Sequence, residues 1–222
     1  MGGCTSVKID NKVLRHLDWL YDNEVSFYVE TEDTIGITGG MAAMTKEYLE
    51  SNQKGTLYKL VPFFLQDGMN YHGLYANINV VSIEAEMTPT TYTQPFIEKR
   101  DEINGLMLVR YIIDNFNSAE EAVQYIQNYI SIYFPQALQG MGYECHWMIA
   151  DKQKCYILEI INNQVVYFEN DILSNFYEAG VNFNEDGKLY SIKDVPEHNP
   201  IEENNLKKHS SGVERFNLCK DF

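Results

Sequence analysis

The stretch MGGCTSVKIDNKVLRHLDW, residues 1–19, carries a cysteine close to the start, two strand-like runs and an Asp10-Asn11 turn dipeptide between them. Thr5 to Ile9 and Asn11 to Asp18 therefore read as a β-hairpin. Cys4 sits at the head of its first strand, and Arg15 and Asp18 lie on the second. Arg15 and Asp18 are three apart, so in an extended strand they point to opposite faces. Both reach one site only across a bend or bulge.

Three readings of Cys4 stand side by side. Met1-Gly2-x-x-x-Ser6 fits a myristoylation pattern, with Cys4 as a palmitoylation site, although no basic cluster follows. A lone Cys is also an ordinary small buried hydrophobe. The third reading is an N-terminal nucleophile. Removal of residues 1–3 would give Cys4 a free α-amine, which titrates near pH ~7.7–8.0 and can accept the thiol proton without a histidine. Arg15 downstream favours a thiolate, and Asp18 can hold an ammonium.

The rest of the chain reads as α+β. Strands are expected at Val25 to Glu30, Thr34 to Thr38, Leu57 to Leu65 and Gly73 to Glu84, with Gln66-Asp67-Gly68 as a turn and a break at Gly39-Gly40. Ala85 to Glu102 reads as a polar loop. Two helices follow. Leu106, Val109, Ile113 and Phe116 recur at helical spacing in the first. Ser118 with Glu121 forms a capping box for the second, whose buried stripe is Val123, Ile126, Ile130 and Tyr133. His146 to Ala150, Cys155 to Ile161 and Gln164 to Phe168 are strands joined by turns at Asp151-Lys152 and Asn162-Asn163. Asn182 to Gly212 reads as mostly loop. Strands, then helices, then strands fit two antiparallel sheets with helices packed outside.

Composition narrows the function. With 222 residues, 45% hydrophobic and 13% aromatic, the chain can bury a real core as a single domain spanning 1–222. A net charge of −15 repels phosphate backbones and anionic lipid, so neither nucleic acid nor membrane is an expected partner. Cys4, Cys145, Cys155 and Cys219 form no CxxC pair, so no metal site is indicated and a reducing cytoplasm is expected.

Several blocks, in order, make the chain resemble the choloylglycine hydrolase family of bile salt hydrolases and penicillin V acylases. They are Cys4-Thr5 with Arg15-x-x-Asp18-Trp19, Asp67-Gly68-Met69-Asn70-x-x-Gly73-Leu74, His146-Trp147-Met148-Ile149-Ala150-Asp151, Leu173-Ser174-Asn175 and Arg215-Phe216 after Ser210-Ser211-Gly212. The resemblance implies an αββα N-terminal-nucleophile hydrolase fold, with two antiparallel sheets between helix layers. It implies hydrolysis of linear amides without a cofactor. By position, Cys4 would be the nucleophile and its amine the base. Arg15 would support the thiolate and Asp18 would hold the amine. Asn175 would join the oxyanion and amine network, and Arg215 would be the late active-site arginine. The oxyanion asparagine would be Asn77 or Asn79. Asn79 is preferred, with a one-residue deletion relative to the bile salt hydrolases. His146 would be a supporting residue rather than a catalyst.

The chain departs from that pattern in three ways. Three residues precede the cysteine, Glu214 stands before Arg215, and the sequence ends at Phe222 where relatives continue by about a hundred residues, which suggests C-terminal truncation. The expected substrate is a small N-acyl amide with an apolar acyl group, for which Phe63, Phe64 and Tyr71 are pocket candidates. Rival expectations are an acyltransferase of related fold and an inactive fragment or binding module whose N-terminus is unprocessed. A symmetric homo-oligomer is the default assembly.

Overall fold

The structure, a computed structural model, describes residues 3–18, 26–30, 34–38, 63–81, 101–134, 144–161, 164–175 and 219. Cys4 is the second residue of β1 (Gly3–Ile9), which turns at Asp10, in left-handed backbone (φ 54°), into β2 (Lys12–Asp18). Asp tolerates that conformation better than most residues, so the Asp10-Asn11 turn forms where the dipeptide indicates it. The pairing is regular from Ile9↔Lys12 to Gly3↔Asp18, with no bulge. β12 (Ile172–Leu173) adds to the other edge of β1 and completes a three-stranded antiparallel sheet.

The larger sheet has seven antiparallel strands in the order β11-β10-β9-β6-β5-β4-β3. These are β3 (Ser26–Glu30), β4 (Thr34–Thr38), β5 (Asp67–Asn70), β6 (Tyr75–Val81), β9 (Glu144–Ala150), β10 (Cys155–Ile161) and β11 (Gln164–Glu169). A separate parallel pair joins β7 (Asp101–Asn104) to β8 (Ile130–Tyr133). The helices are α1 (Leu108–Asn115), entered through a 3-10 turn at Gly105–Met107, and α2 (Ala119–Tyr129).

Alternation along the central strands sorts residues between two layers. Ala76 and Ile78 of β6, Trp147 and Ile149 of β9, and Leu158 and Ile160 of β10 are buried with Leu108, Val109, Ile112, Val123 and Ile126 of the helices. Each Val, Leu or Ile among them contributes about 1.5–3 kcal/mol on burial. The opposite face of β9 and β10 meets the small sheet through Met148, Ala150, Cys155, Ile157 and Leu173. The fold is thus α+β, with two antiparallel sheets and a helix layer on one side. A second helix layer is not among the described residues.

Three expectations are corrected. Asp67-Gly68 lies in β5 rather than in a turn, and the turn falls at Tyr71-His72. Asn70 is the cause. Its Oδ1 accepts from the backbone N–H groups of His72 and Leu74, both at 3.1 Å, and its Nδ2 donates to the carbonyls of Ile113 (3.0 Å) and Phe116 (2.8 Å). One side chain closes the hairpin and ties off the end of α1, while Gly73 (φ 84°) takes the left-handed position. Gly68 packs so tightly that a Cβ there would lie 2.6 Å from Cδ1 of Ile113. Next, α2 stops at Tyr129, so Ile130 and Tyr133 belong to β8 and not to its stripe. The β-prone run Ile-Ser-Ile-Tyr pairs with β7. β7 in turn makes a strand of residues 101–104, the first two of which, Asp101 and Glu102, lie in the span read as loop.

The capping box is one-armed. Ser118 Oγ accepts from Glu121 N–H (3.3 Å), but the Glu121 carboxylate lies by Asn117 N–H (3.5 Å). The stronger cap comes from Asp151 in the β9–β10 hairpin. Its Oδ2 accepts from Ala119 N–H (2.8 Å), and its Oδ1 from Gln153 (2.7 Å) and Lys154 (2.8 Å) N–H. The run Leu57 to Leu65 before Phe63, the glycine pair Gly39-Gly40, the Asn162-Asn163 turn and the loop Asn182 to Gly212 lie outside the described residues. Among those residues no helix is long and apolar enough to cross a membrane.

Burial acts to raise the Asp151 pKa, but the N–H groups of Ala119, Lys154 and Gln153 outweigh it and the net direction is down. With a folded value below the unfolded ~3.9, the stabilisation is complete above about pH 4 and fades as pH falls through the folded value. Asp151→Ala should lower unfolding free energy by about 1–2 kcal/mol at neutral pH. Urea titrations at pH 7 and pH 3 check this, because the gap between parent and variant should narrow in acid.

Candidate active site

Cross-strand pairs place Cys4, Ser6 and Arg15 on one face of the small sheet, since Ser6 sits opposite Arg15 and Cys4 opposite Leu17. That face looks onto β6, whose Tyr75, Asn77 and Asn79 alternate with its apolar residues. A polar layer therefore lies between two otherwise apolar sheets. Such a layer persists only if its members satisfy one another.

Arg15 is the largest of these groups. Its side chain is 8% exposed, and its Nη1 lies 2.6 Å from Oδ2 of Asp67, itself 6% exposed. Nη1 also donates to the Gln66 carbonyl (2.9 Å) and Nη2 to the Ile78 carbonyl (2.7 Å). Burial works to lower the Arg15 pKa, but Asp67, Tyr75 and Cys4 outweigh it, so the net direction is up and the guanidinium stays charged. Asp67 takes a second bond from Tyr75 Oη (2.5 Å). Burial, then the Asp67 charge, pushes the Tyr75 phenol well above its ordinary range, which keeps it a neutral donor. Asn77 Nδ2 donates to Ser6 Oγ (2.6 Å) and to Tyr75 Oη (3.0 Å).

The site lies where β5 leaves β6. Their pairing ends at Asp67↔Asn77, and Gln66 takes the N–H of Ile78 (3.0 Å). Beyond that point side chains take over the edge of β6. Arg15 holds the carbonyl of Ile78, and Asn175 Nδ2 holds the carbonyl of Val80 (2.5 Å). Asn175 Oδ1 accepts from the backbone nitrogen of Cys4, also at 2.5 Å. Asn175 is thus a bridge between the cysteine nitrogen and the strand that carries Asn79.

Asn77 and Asn79 now differ in kind. The Asn77 amide nitrogen is already spent on Ser6 and Tyr75. Asn79 is 1% exposed, and neither its Nδ2 nor its Oδ1 has a hydrogen-bond partner among the described residues. A buried amide left this way costs free energy, which sets Asn79 apart from Asn77 as the amide with a donor to spare.

The structure therefore brings Cys4, Arg15, Asn79 and Asn175 together. Asp18 ends β2 opposite Gly3, and its side chain lies outside the described residues, as does Arg215. Of the pocket candidates, Phe63 and Tyr71 are exposed on the surface and Phe64 is partly buried. No cluster able to hold a metal ion occurs among the described residues.

A model of linear amide C–N hydrolases, choloylglycine hydrolase family, matches residues 4–219. The chain belongs to the choloylglycine hydrolase family. The family match begins at Cys4 itself. No curated protein sequence matches. Among solved structures, a mutant and a further variant of the conjugated bile acid hydrolase from Clostridium perfringens are similar, each with TM-score 0.50 over 77% of this chain and 52% of theirs. At 17% and 18% identity these likenesses bear on the fold, and the chain spans about half the length of those proteins.

Asp67, Tyr75 and Ser6 were not singled out as site residues from sequence. The available signal was the one that marked Asn77 and Asn79, a polar residue on the inward face of an apolar strand. In this member of the choloylglycine hydrolase family Asp67 is the counter-charge for Arg15. Asp67→Leu should cost about 3–5 kcal/mol, because it leaves a guanidinium buried without its partner. Chemical denaturation monitored by circular dichroism measures the loss, and a change under about 1 kcal/mol would show that the two carbonyls alone suffice for Arg15.

Proposed function

We propose that the chain is a cysteine N-terminal-nucleophile hydrolase of linear N-acyl amides. The observation that carries the reading is the bond from the Cys4 nitrogen to Asn175 at 2.5 Å. Cys4 lies beyond the residues of β1 that β12 pairs, so its backbone nitrogen needs an acceptor there, and Asn175, itself anchored on the Val80 carbonyl, supplies it. The same anchored acceptor would aim the lone pair of a free α-amine at the thiol, which supports the catalytic reading.

In the proposed reaction residues 1–3 are removed, so that Cys4 begins the mature chain. The thiol proton passes to the α-amine, and the thiolate, beside the Arg15 cation, attacks the amide carbonyl. Asn79 Nδ2, the unspent donor, stabilises the oxyanion, a contribution of roughly 2.7–4 kcal/mol in comparable sites. The C–N bond breaks as the ammonium gives its proton to the leaving amine. Water then adds to the thioester, returns a proton to the amine and frees the acid and the thiol. On the family pattern Arg215 would join the site, whereas Asp18, which the regular β2 pairing puts on the face opposite Arg15, would reach it only through a bend at the end of the strand. The substrate is an apolar acyl group joined to a small polar amine, bile salt conjugates and phenoxyacyl β-lactams being of this class. The net charge of −15 accords with a small-molecule substrate rather than a nucleic acid.

Intact mass and N-terminal sequencing, followed by assay on a panel of N-acyl amides, test the proposal. A chain beginning at Cys4 that releases amine from the panel is expected. Cys4→Ser should then lower kcat by at least about a thousandfold. A chain that retains Gly2 and Gly3 yet hydrolyses amides would sink the amine-as-base mechanism.

Asn79→Ala should lower kcat about 100–1000-fold with KM nearly unchanged. Asn77→Ala should act on stability first, through Ser6 and Tyr75. Steady-state kinetics beside thermal melts separate the two, and equal kinetic losses would remove Asn79 as the particular donor.

A further inference from the structure

Two polar residues of the interior take no part in the reaction just described. His146 on β9 and Glu159 on β10 both have fully buried side chains. They stand on the inward face, in one row with Asn79, because Asn79 pairs with His146 across β6 and β9. His146 Nδ1 lies 3.2 Å from Glu159 Oε1, and His146 Nε2 lies 2.6 Å from the carbonyl oxygen of Ser174. The next residue is Asn175, whose two amide atoms hold Cys4 N and Val80 O.

Donor and acceptor roles follow from chemistry. A carbonyl oxygen only accepts, so Nε2 carries the hydrogen and donates to Ser174. Nδ1 then faces a carboxyl group. Either Nδ1–H donates to a carboxylate or a carboxylic O–H donates to Nδ1, and both leave Nε2–H aimed at Ser174. Glu159 thus orients the ring, and the ring fixes the peptide immediately before Asn175. β12 ends at Leu173, so Ser174 and Asn175 lie past the last strand residue.

We propose that His146, oriented by Glu159, is the positioning residue that sets Asn175 against the Cys4 nitrogen. The inference rests on the reading of that nitrogen as the catalytic base. It gives His146 a defined task without making it an acid or a base. It also accounts for an imidazole and a carboxyl group buried on a face of β9 and β10 that otherwise carries Met148, Ala150, Cys155 and Ile157. Misplacing the Asn175 acceptor would leave substrate binding intact and misdirect the proton transfer, so the loss falls on kcat and not on KM.

The experiment compares His146→Phe, Glu159→Leu and Glu159→Gln in the full chain. Kinetics use the N-acyl amide that the parent hydrolyses fastest, and crystal structures of the parent and of His146→Phe provide a readout independent of turnover. His146→Phe and Glu159→Leu are expected to lower kcat about 10–100-fold with KM within about threefold. Glu159→Gln should recover most of the Glu159→Leu loss, since the Gln amide N–H donates to Nδ1 and keeps Nε2–H on Ser174. In the His146→Phe crystal the Asn175 side chain should leave the Cys4 nitrogen. Should His146→Phe fail to fold, the Glu159 pair carries the test alone, because a role in packing would be served equally by Leu and Gln. A parent without amidase activity removes the mechanistic reading. The positioning claim is then still decided by the crystal structures, and Asn175 unmoved in His146→Phe overturns it. Equal kcat for Glu159→Leu and Glu159→Gln overturns it as well.

Discussion

One buried guanidinium organises the meeting of the two sheets. Arg15 belongs to the small sheet, yet all the partners it is given lie on the large one: Asp67 and the carbonyls of Gln66 and Ile78. A charge away from water must be paired and hydrogen-bonded or it is expelled. The two sheets can therefore pack in only the register that brings Arg15 to that gap. Tyr75, Asn77 and Ser6 extend the same requirement. Each satisfies a neighbour, and the chain of bonds runs from Asp67 back to β1.

The gap that receives Arg15 exists because β5 stops pairing early. An uninterrupted sheet would use every carbonyl of β6 on its neighbours. Here the carbonyls of Ile78 and Val80, on either side of Asn79, are held by side chains from the small sheet and from the segment after β12. That arrangement places a cysteine, a fixed cation and an idle amide around one edge. The low dielectric of the setting strengthens each of these interactions and makes an unpaired group more costly. On the proposed mechanism, stability and chemistry would draw on the same residues.

Much of the fold was legible. The hairpin of residues 5–18, the strands at 146–150, 155–161 and 164–168, and the start of α2 at Ser118 follow local pattern and turn chemistry. The misses have a common physical cause. Asp67-Gly68 looks like a turn because both residues favour turns, but Asp67 is bound by Arg15 and Tyr75, and Asn70 draws the reversal four residues onward. Ile130 and Tyr133 continue a helical spacing, but β7 offers them a ladder. In both cases a partner distant in sequence outweighs a local preference.

Residue order by itself determined that the chain is α+β, that a cysteine heads a strand facing an arginine-bearing one, and that asparagines interrupt an apolar strand. Each of these is a property of neighbours along the chain, read through periodicity and turn preference. It also carried the ordered blocks that point to the choloylglycine hydrolase family. Only the tertiary structure decided that Arg15 pairs with Asp67, that the Asn77 amide nitrogen is spent while that of Asn79 is not, and that His146 reaches the peptide before Asn175. Those facts depend on which strand edge is left open and which side chain is near enough to fill it. Hydrogen bonds between residues 28 to 171 positions apart have no local signature, because their donors and acceptors are chosen by packing.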